Sequence, residues 1–244
     1  IYKKIFGGVM ASIKDALEES INERGALLKY IIYAIPLYFA FQAYTGPAKF
    51  GSLAITLYAV SGLILLGFMT RCANNVMNYR DNILPTYNFI SLIWDSLKAT
   101  LAIGPWCALN IYIANYLMTN FIPKIAVPWI ASSATYITYG ICYSIVLTAF
   151  MLYAKSQKIT DAYNLKIISD SCIDILIQVI WMSLQLALLN AIIIGTVTYL
   201  FWLFLGLQNP ILIFIWAMTA LLNAAITGNY LGQLNYEALH HDAE

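Results

Sequence analysis

Charged side chains are scarce in this 244-residue chain: they make up 10% of it, whereas hydrophobic residues make up 61%. A soluble globular domain carries about a quarter charged residues and about half apolar ones. The deficit excludes a soluble domain and, with a mean hydropathy of +0.73, indicates an integral membrane protein. The formal net charge of +1 gives no reason to expect a nucleic-acid partner.

Residue patterns that carry catalysis or metal binding are also missing. The four cysteines form no CxxC pair, which disfavours a zinc site and a disulfide framework. The chain has no Walker loop, HExxH, GxSxG or Rossmann glycine pattern. Its two histidines, His240 and His241, are adjacent and lack the rest of a coordination shell. We therefore predict no enzyme activity, no metal and no cofactor.

Long apolar runs fill most of the chain instead. A bilayer core of about 30 Å needs about 20 apolar residues per helix. Six segments meet this requirement: Leu27–Tyr44, Ser52–Met69, Ala99–Thr119, Trp129–Tyr153, Ile175–Leu207 and Pro210–Leu231. Short breaks pair them into three hairpins. The predicted fold is an all-α polytopic membrane protein with one domain over residues 1–244.

Basic residues are distributed unequally between the two sides of the predicted bundle. Only Lys49 and Lys124 fall on one side, and the other eleven of the 13 Lys and Arg fall on the other. Cytoplasmic loops carry an excess of Lys and Arg. We therefore expect a multi-pass protein of the cell inner (cytoplasmic) membrane with both termini in the cytoplasm.

A short pattern recurs before each hairpin. "IKDAL", "IWDSL" and "CIDIL" place Asp15, Asp95 and Asp174 at intervals of 80 and 79 residues. We predict repeats over 9–70, 86–153 and 159–232, each an amphipathic cytoplasmic segment followed by a hairpin, with possible pseudo-threefold symmetry. The alternative is chance recurrence of a common D-x-L. The three aspartates are predicted at the cytoplasmic surface, as an acidic cluster or, as we favour, charging the first turn of a helix.

Lys, Arg, Asp, Glu and His are absent from the middle of all six segments. Because such residues usually mark proton relays and ion paths, their absence disfavours a proton-coupled pump or a charge-selective channel. The polar residues that remain are amides and tyrosines, with Asn110, Asn115, Tyr139 and Asn190 as candidates for polar or lipid contact. They would form a pocket for a headgroup or small solute, or hydrogen bonds between helices; the second interpretation is favoured.

Two arginines lie in the polar run between the first and second hairpins. Arg71 and Arg80 are candidates for contact with lipid phosphate, which guanidinium groups bind through paired donors. The alternative, which we favour, is that they set the topology.

The same region carries a family resemblance. The run "GFMTRCANNVMNYRDNILPTYNFISLIWDSLKA" (Gly67–Ala99) has an arginine and an Asn/Val pair at a helix end, then "LP", then "DSLK". It resembles the domain of unknown function 4013 family of multi-pass prokaryotic membrane proteins, as does the closing "GNYLGQLNYEAL" (Gly228–Leu239). The resemblance extends from about Ser12 to Leu239, departs from the family at "TYNFIS", and implies topology but no activity.

These observations favour an integral membrane scaffold or accessory subunit that organises partner membrane proteins. Its expected partners are membrane lipid and other membrane protein subunits or further copies of itself. The alternative is a carrier or flippase-like protein for a lipid or a neutral solute, using the amides and tyrosines.

Overall fold

The computed structural model describes residues 11–45, 52–124, 128–207 and 209–238. Within these ranges the chain forms seven α-helices, two short 3-10 helices and no strand. The α-helices are α1 Ile13–Asn22, α2 Ala26–Thr45, α3 Ser52–Met77, α4 Phe89–Asn120, α5 Pro128–Ser156, α6 Leu165–Phe204 and α7 Pro210–Ala238. The 3-10 helices are Ile122–Lys124 and Ile159–Tyr163.

Six of these helices, α2 to α7, are long and apolar enough to cross a membrane. Each overlaps one of the six predicted segments, although α4 and α6 begin ten residues before theirs and α6 ends at Phe204 rather than at the predicted Leu207. The all-α polytopic fold is therefore confirmed, and the protein is a multi-pass membrane protein.

The amphipathic segments before the second and third hairpins are not separate α-helices. The first continues into α4, which has 32 residues; the second begins with the 3-10 helix Ile159–Tyr163 and then continues into α6, which has 40 residues. At a rise of 1.5 Å per residue these helices are about 48 and 60 Å long, well beyond a hydrocarbon core of about 30 Å. Of the three lead-in segments, α1 alone is a separate α-helix among the described residues, so the three predicted repeat units differ at their starts, and the repeat itself stays a prediction.

The separate helix α1 packs against the bundle. Ser12 caps its first turn by accepting a hydrogen bond from the Asp15 amide at 3.3 Å. Ile13, Ala16 and Ser20 form its buried side. The Nδ2 of the fully buried Asn229 in α7 donates to the Ala16 carbonyl at 3.3 Å and to Glu19 at 3.0 Å. The sequence pattern predicted a helix lying on lipid, whereas in the structure the buried side of α1 packs against α7.

Helix α3 lies at the centre and packs against α2, α4, α5 and α7. Two glycines allow the closest approaches. A Cβ on Gly228 of α7 would lie 2.3 Å from the Met69 carbonyl oxygen, and one on Gly67 would lie 2.4 Å from the Leu92 carbonyl oxygen. Small residues let membrane helices approach until their backbones touch. These contacts fix α7 and α4 against α3.

Candidate functional site

The polar run between α3 and α4, residues 78–88, is a folded loop at one end of the bundle. Helix α3 ends in a turn that places Tyr79 at a φ of 53°, with the Arg80 amide donating to the Asn75 carbonyl at 2.9 Å. This is a Schellman arrangement, which satisfies the last carbonyls of a helix and reverses the chain. We call this end, with α1 and the connection 157–164, the charged face.

A buried ion pair from the chain just before and inside α2 holds this loop. The Glu23 Oε2 accepts the amides of Ile83 and Leu84 at 2.8 and 2.7 Å, and its Oε1 lies 2.5 Å from the Lys29 Nζ. The Lys29 Nζ also donates to the Leu84 carbonyl at 3.3 Å. The two charged side chains are only 7% and 9% exposed, so the loop is held by charge-assisted bonds inside the protein.

Two further side chains, one from α2 and one from α3, hold the loop through hydrogen bonds. The Tyr33 hydroxyl donates to the Thr86 carbonyl at 2.5 Å, and the Asn75 Nδ2 donates to the Ile83 carbonyl at 2.9 Å. Sequence reasoning missed the roles of Glu23, Lys29 and Tyr33. The first two read as surface charges, and no local pattern indicates that a loop some 55 residues later returns to them.

The structure brings two predicted site residues, Arg71 and Asp95, into one ion pair. The Arg71 Nε donates to Asp95 Oδ2, and its other arm donates to the Ser91 hydroxyl at 2.6 Å. The Tyr153 hydroxyl donates to the Asp95 backbone carbonyl at 3.2 Å. Arg71 thus joins α3 to α4 through contacts within the protein.

This pairing corrects one prediction about the aspartates. Asp95 is 6% exposed and lies beyond the first turn of α4, so it is neither a surface residue nor a first-turn charge. An ionised carboxylate tolerates this position because Arg71 accompanies it. Asp15 is exposed in the first turn of α1, as predicted. Asp174 belongs to α6, and its side chain lies outside the described residues.

The predicted intramembrane amides are not gathered at one place. Asn110 of α4 is buried and donates to the Cys142 carbonyl of α5 at 2.8 Å. Asn190 of α6 accepts a bond from Asn223 of α7 at 2.8 Å. Each of these bonds ties two neighbouring helices together, which is the common use of amides in membrane bundles. Asn115 is exposed and belongs to neither pair.

Tyr139 lies in an exposed stripe on α5. Tyr136, Tyr139 and Tyr143 are 77%, 50% and 47% exposed. Their spacing of three and four residues places them on one side of the helix. The stripe therefore lies on a side of α5 that the rest of the bundle leaves uncovered.

One cavity is a groove of about 610 Å³ at the end opposite the charged face, between α6 and α7. Its lining includes Tyr199, Trp202 and Trp216, and the Trp216 Nε1 donates to the Thr198 hydroxyl at 3.0 Å. Exposed tyrosine and tryptophan at the end of a span are typical of a membrane–water interface. Another cavity, of about 330 Å³, lies in the loop of the charged face and includes Arg80 in its lining.

Comparisons of the chain with protein-family models, with curated proteins and with solved structures give no match.

Proposed function

We propose that this protein is a membrane scaffold or accessory subunit that holds a partner membrane protein, or another copy of itself, against the tyrosine stripe of α5. We further propose that the charged face is cytoplasmic, in a prokaryotic inner membrane, and that the chain is related to the domain of unknown function 4013 family.

The position of the exposed Tyr143 along α5 is the observation that carries the proposal. Tyr143 precedes Lys155, at the charged end of α5, by 12 residues, or about 18 Å at 1.5 Å per residue. In a hydrocarbon core of about 30 Å this is close to the middle, not the interfacial belt where lipid-facing tyrosines gather. A phenol there needs a hydrogen-bond partner, which acyl chains do not supply and another protein does.

The poor burial of α6 supports the same conclusion. From Ser183 to Phe204 no residue of α6 is buried, although the neighbouring α7 is largely covered. The side of the bundle formed by α5 and α6 is therefore open for association.

The positions of the amides favour this function over a carrier. Asn110 and Asn190 hold helix pairs together, so each already has a structural use. This changes how the carrier alternative is tested. Replacing them by Leu would remove helix contacts, whereas Asn115→Leu alters an exposed residue and leaves both pairs intact.

The test compares hydroxyl-deleted variants after gentle extraction from the membrane. We expect the wild-type chain to be recovered in a complex heavier than the 27.3 kDa of one chain. An interhelical hydrogen bond in a membrane contributes about 0.6 kcal/mol on average, so Tyr139→Phe with Tyr143→Phe weakens association by roughly tenfold. The matched control is Tyr136→Phe, nearer the end of the span, where water replaces the lost partner.

Two results would contradict the proposal. One is a wild-type chain recovered alone at native abundance. The other is transport of lipid or solute in proteoliposomes that Asn115→Leu abolishes, because that result identifies a carrier.

A further inference from the structure

Helix α4 carries a proline in its interior, at Pro105. A proline has no backbone N–H, so the carbonyl four residues earlier, that of Leu101, loses its helical hydrogen-bond donor. An unpaired carbonyl is costly inside a membrane, where no water replaces the donor. The Tyr163 hydroxyl, from the 3-10 helix Ile159–Tyr163, donates to the Leu101 carbonyl at 2.8 Å. A side chain from another part of the chain therefore takes the place of the missing amide.

A second contact holds the same 3-10 helix to α4 just after Pro105. The Trp106 Nε1 donates to the Ala162 carbonyl at 2.9 Å, and the rings of Trp106 and Tyr163 stack with their centroids 6.2 Å apart. Ala162 is fully buried, so the 3-10 helix is itself held in the bundle. We call Trp106, Ala162 and Tyr163 the clasp. The clasp joins the residues on both sides of Pro105 to one fixed point.

The two parts of α4 that meet at Pro105 differ in how firmly the bundle holds them. The buried residues before Pro105 are Leu92, Asp95, Ser96, Ala99 and Ala102. After Pro105, α4 buries only Asn110, which bonds to α5, and Ala114. In α5, no described residue before Ser144 is buried. The outer parts of the two helices, residues 106–120 and 130–143, therefore form a loosely held arm, and this arm carries the tyrosine stripe.

We propose that Gly104 and Pro105 form a hinge about which this arm swings, and that the clasp holds the hinge in one position. A Cβ built on Gly104 would have no described atom within 4 Å, so the hinge has room to move. Proline disfavours the helical backbone for the residue before it, and glycine adopts other conformations without steric cost. The hinge requires no partner and the clasp uses no residue of the tyrosine stripe, so this proposal and the proposed function fail or hold separately.

Distances between two spin labels test the hinge on single chains in nanodiscs. The labels are attached to Thr119→Cys, in the arm, and Ile211→Cys, at the same end of α7, with the four native cysteines replaced by alanine. Thr119 lies 14 residues beyond Pro105, or about 21 Å along the helix, so a bend of about 20° moves it by about 7 Å. We expect one distance with the clasp intact and a second population, shifted by about 7 Å, in Tyr163→Phe.

Two further variants separate a hinge from general loosening. Pro105→Ala restores the amide donor to the Leu101 carbonyl, so Tyr163→Phe should give a single distance in that background. The matched control is Tyr153→Phe, which also removes a tyrosine hydroxyl from an α4 carbonyl, that of Asp95, ten residues before Pro105. This control should leave the distance unchanged.

Three results would overturn the proposal. The first is an unchanged distance in Tyr163→Phe, and the second is a shifted population that persists when Pro105→Ala is added. The third is a shift that also appears in Tyr153→Phe, or between labels at Ile21→Cys and Ile90→Cys, two exposed positions that lie on the charged face and before the hinge. Either form of the third result indicates a loosened bundle rather than a hinge.

Discussion

Removing Arg71 should destabilise the protein more than removing its partner Asp95. The Asp95 side chain is 9% exposed and that of Arg71 is 29% exposed. Arg71→Met therefore leaves a buried carboxylate without its counter-charge, which costs about 3 kcal/mol, the low end for breaking a buried pair. Asp95→Asn leaves a guanidinium that still reaches solvent, so we expect a loss of about 1.5 kcal/mol.

The double variant tests whether Arg71 and Asp95 stabilise the protein as a pair or independently of each other. With both charges gone no unpaired ion remains inside, so Arg71→Met with Asp95→Asn should cost about 2 kcal/mol rather than the sum of the single losses. The assay is reversible unfolding of the purified protein in mixed micelles of increasing SDS content, followed by far-UV circular dichroism.

Arg71→Lys extends the same test. The Arg71 Nε donates to Asp95 and a terminal nitrogen donates to Ser91, so one guanidinium binds two acceptors on different residues. A lysine carries the charge without the forked donors, so we expect Arg71→Lys to lower the free energy of unfolding by about 1 kcal/mol, less than Arg71→Met does. Additive single losses, or an unchanged Arg71→Met, would refute the reasoning and favour the alternative in which Arg71 contacts lipid phosphate.

Two further predictions concern packing and topology. Gly228→Leu should lower the free energy of unfolding by about 3 kcal/mol, because the new Cβ would meet the Met69 carbonyl oxygen rather than a movable side chain. The matched control is Gly195→Leu, whose Cβ would have nothing within 4 Å, and it should leave the free energy of unfolding unchanged in the same assay. A cysteine at the exposed Thr86 should react with a membrane-impermeant reagent only after the cells are permeabilised, and labelling in intact cells would reverse the proposed orientation.

The six crossings could be read from the sequence because they depend on a local quantity. Whether about 20 successive residues are apolar decides insertion, and neighbours elsewhere in the chain change this little. The same holds for the α1 cap at Ser12, which needs only the first turn of its own helix.

The candidate site residues could be predicted only in part, because the need for a partner is local and the identity of the partner is not. Residue type showed that the amides of the membrane interior would need partners, and the favoured interpretation of interhelical bonds holds for Asn110 and Asn190. It did not show which partner each would find. Asn115 lies in the same helix as Asn110 and is exposed, because only one side of α4 packs on α5.

The sequence by itself determined that this is a six-crossing helical membrane protein, because hydrophobic length and charge placement are properties of single segments. The tertiary structure alone decided that Arg71 pairs with Asp95, that Glu23 holds the loop 60 residues later, and that α1 packs against α7. Those contacts arise from how helices fit together. Gly67 of α3 lets the α4 backbone approach α3, and Gly228 of α7 lets the α7 backbone approach α3.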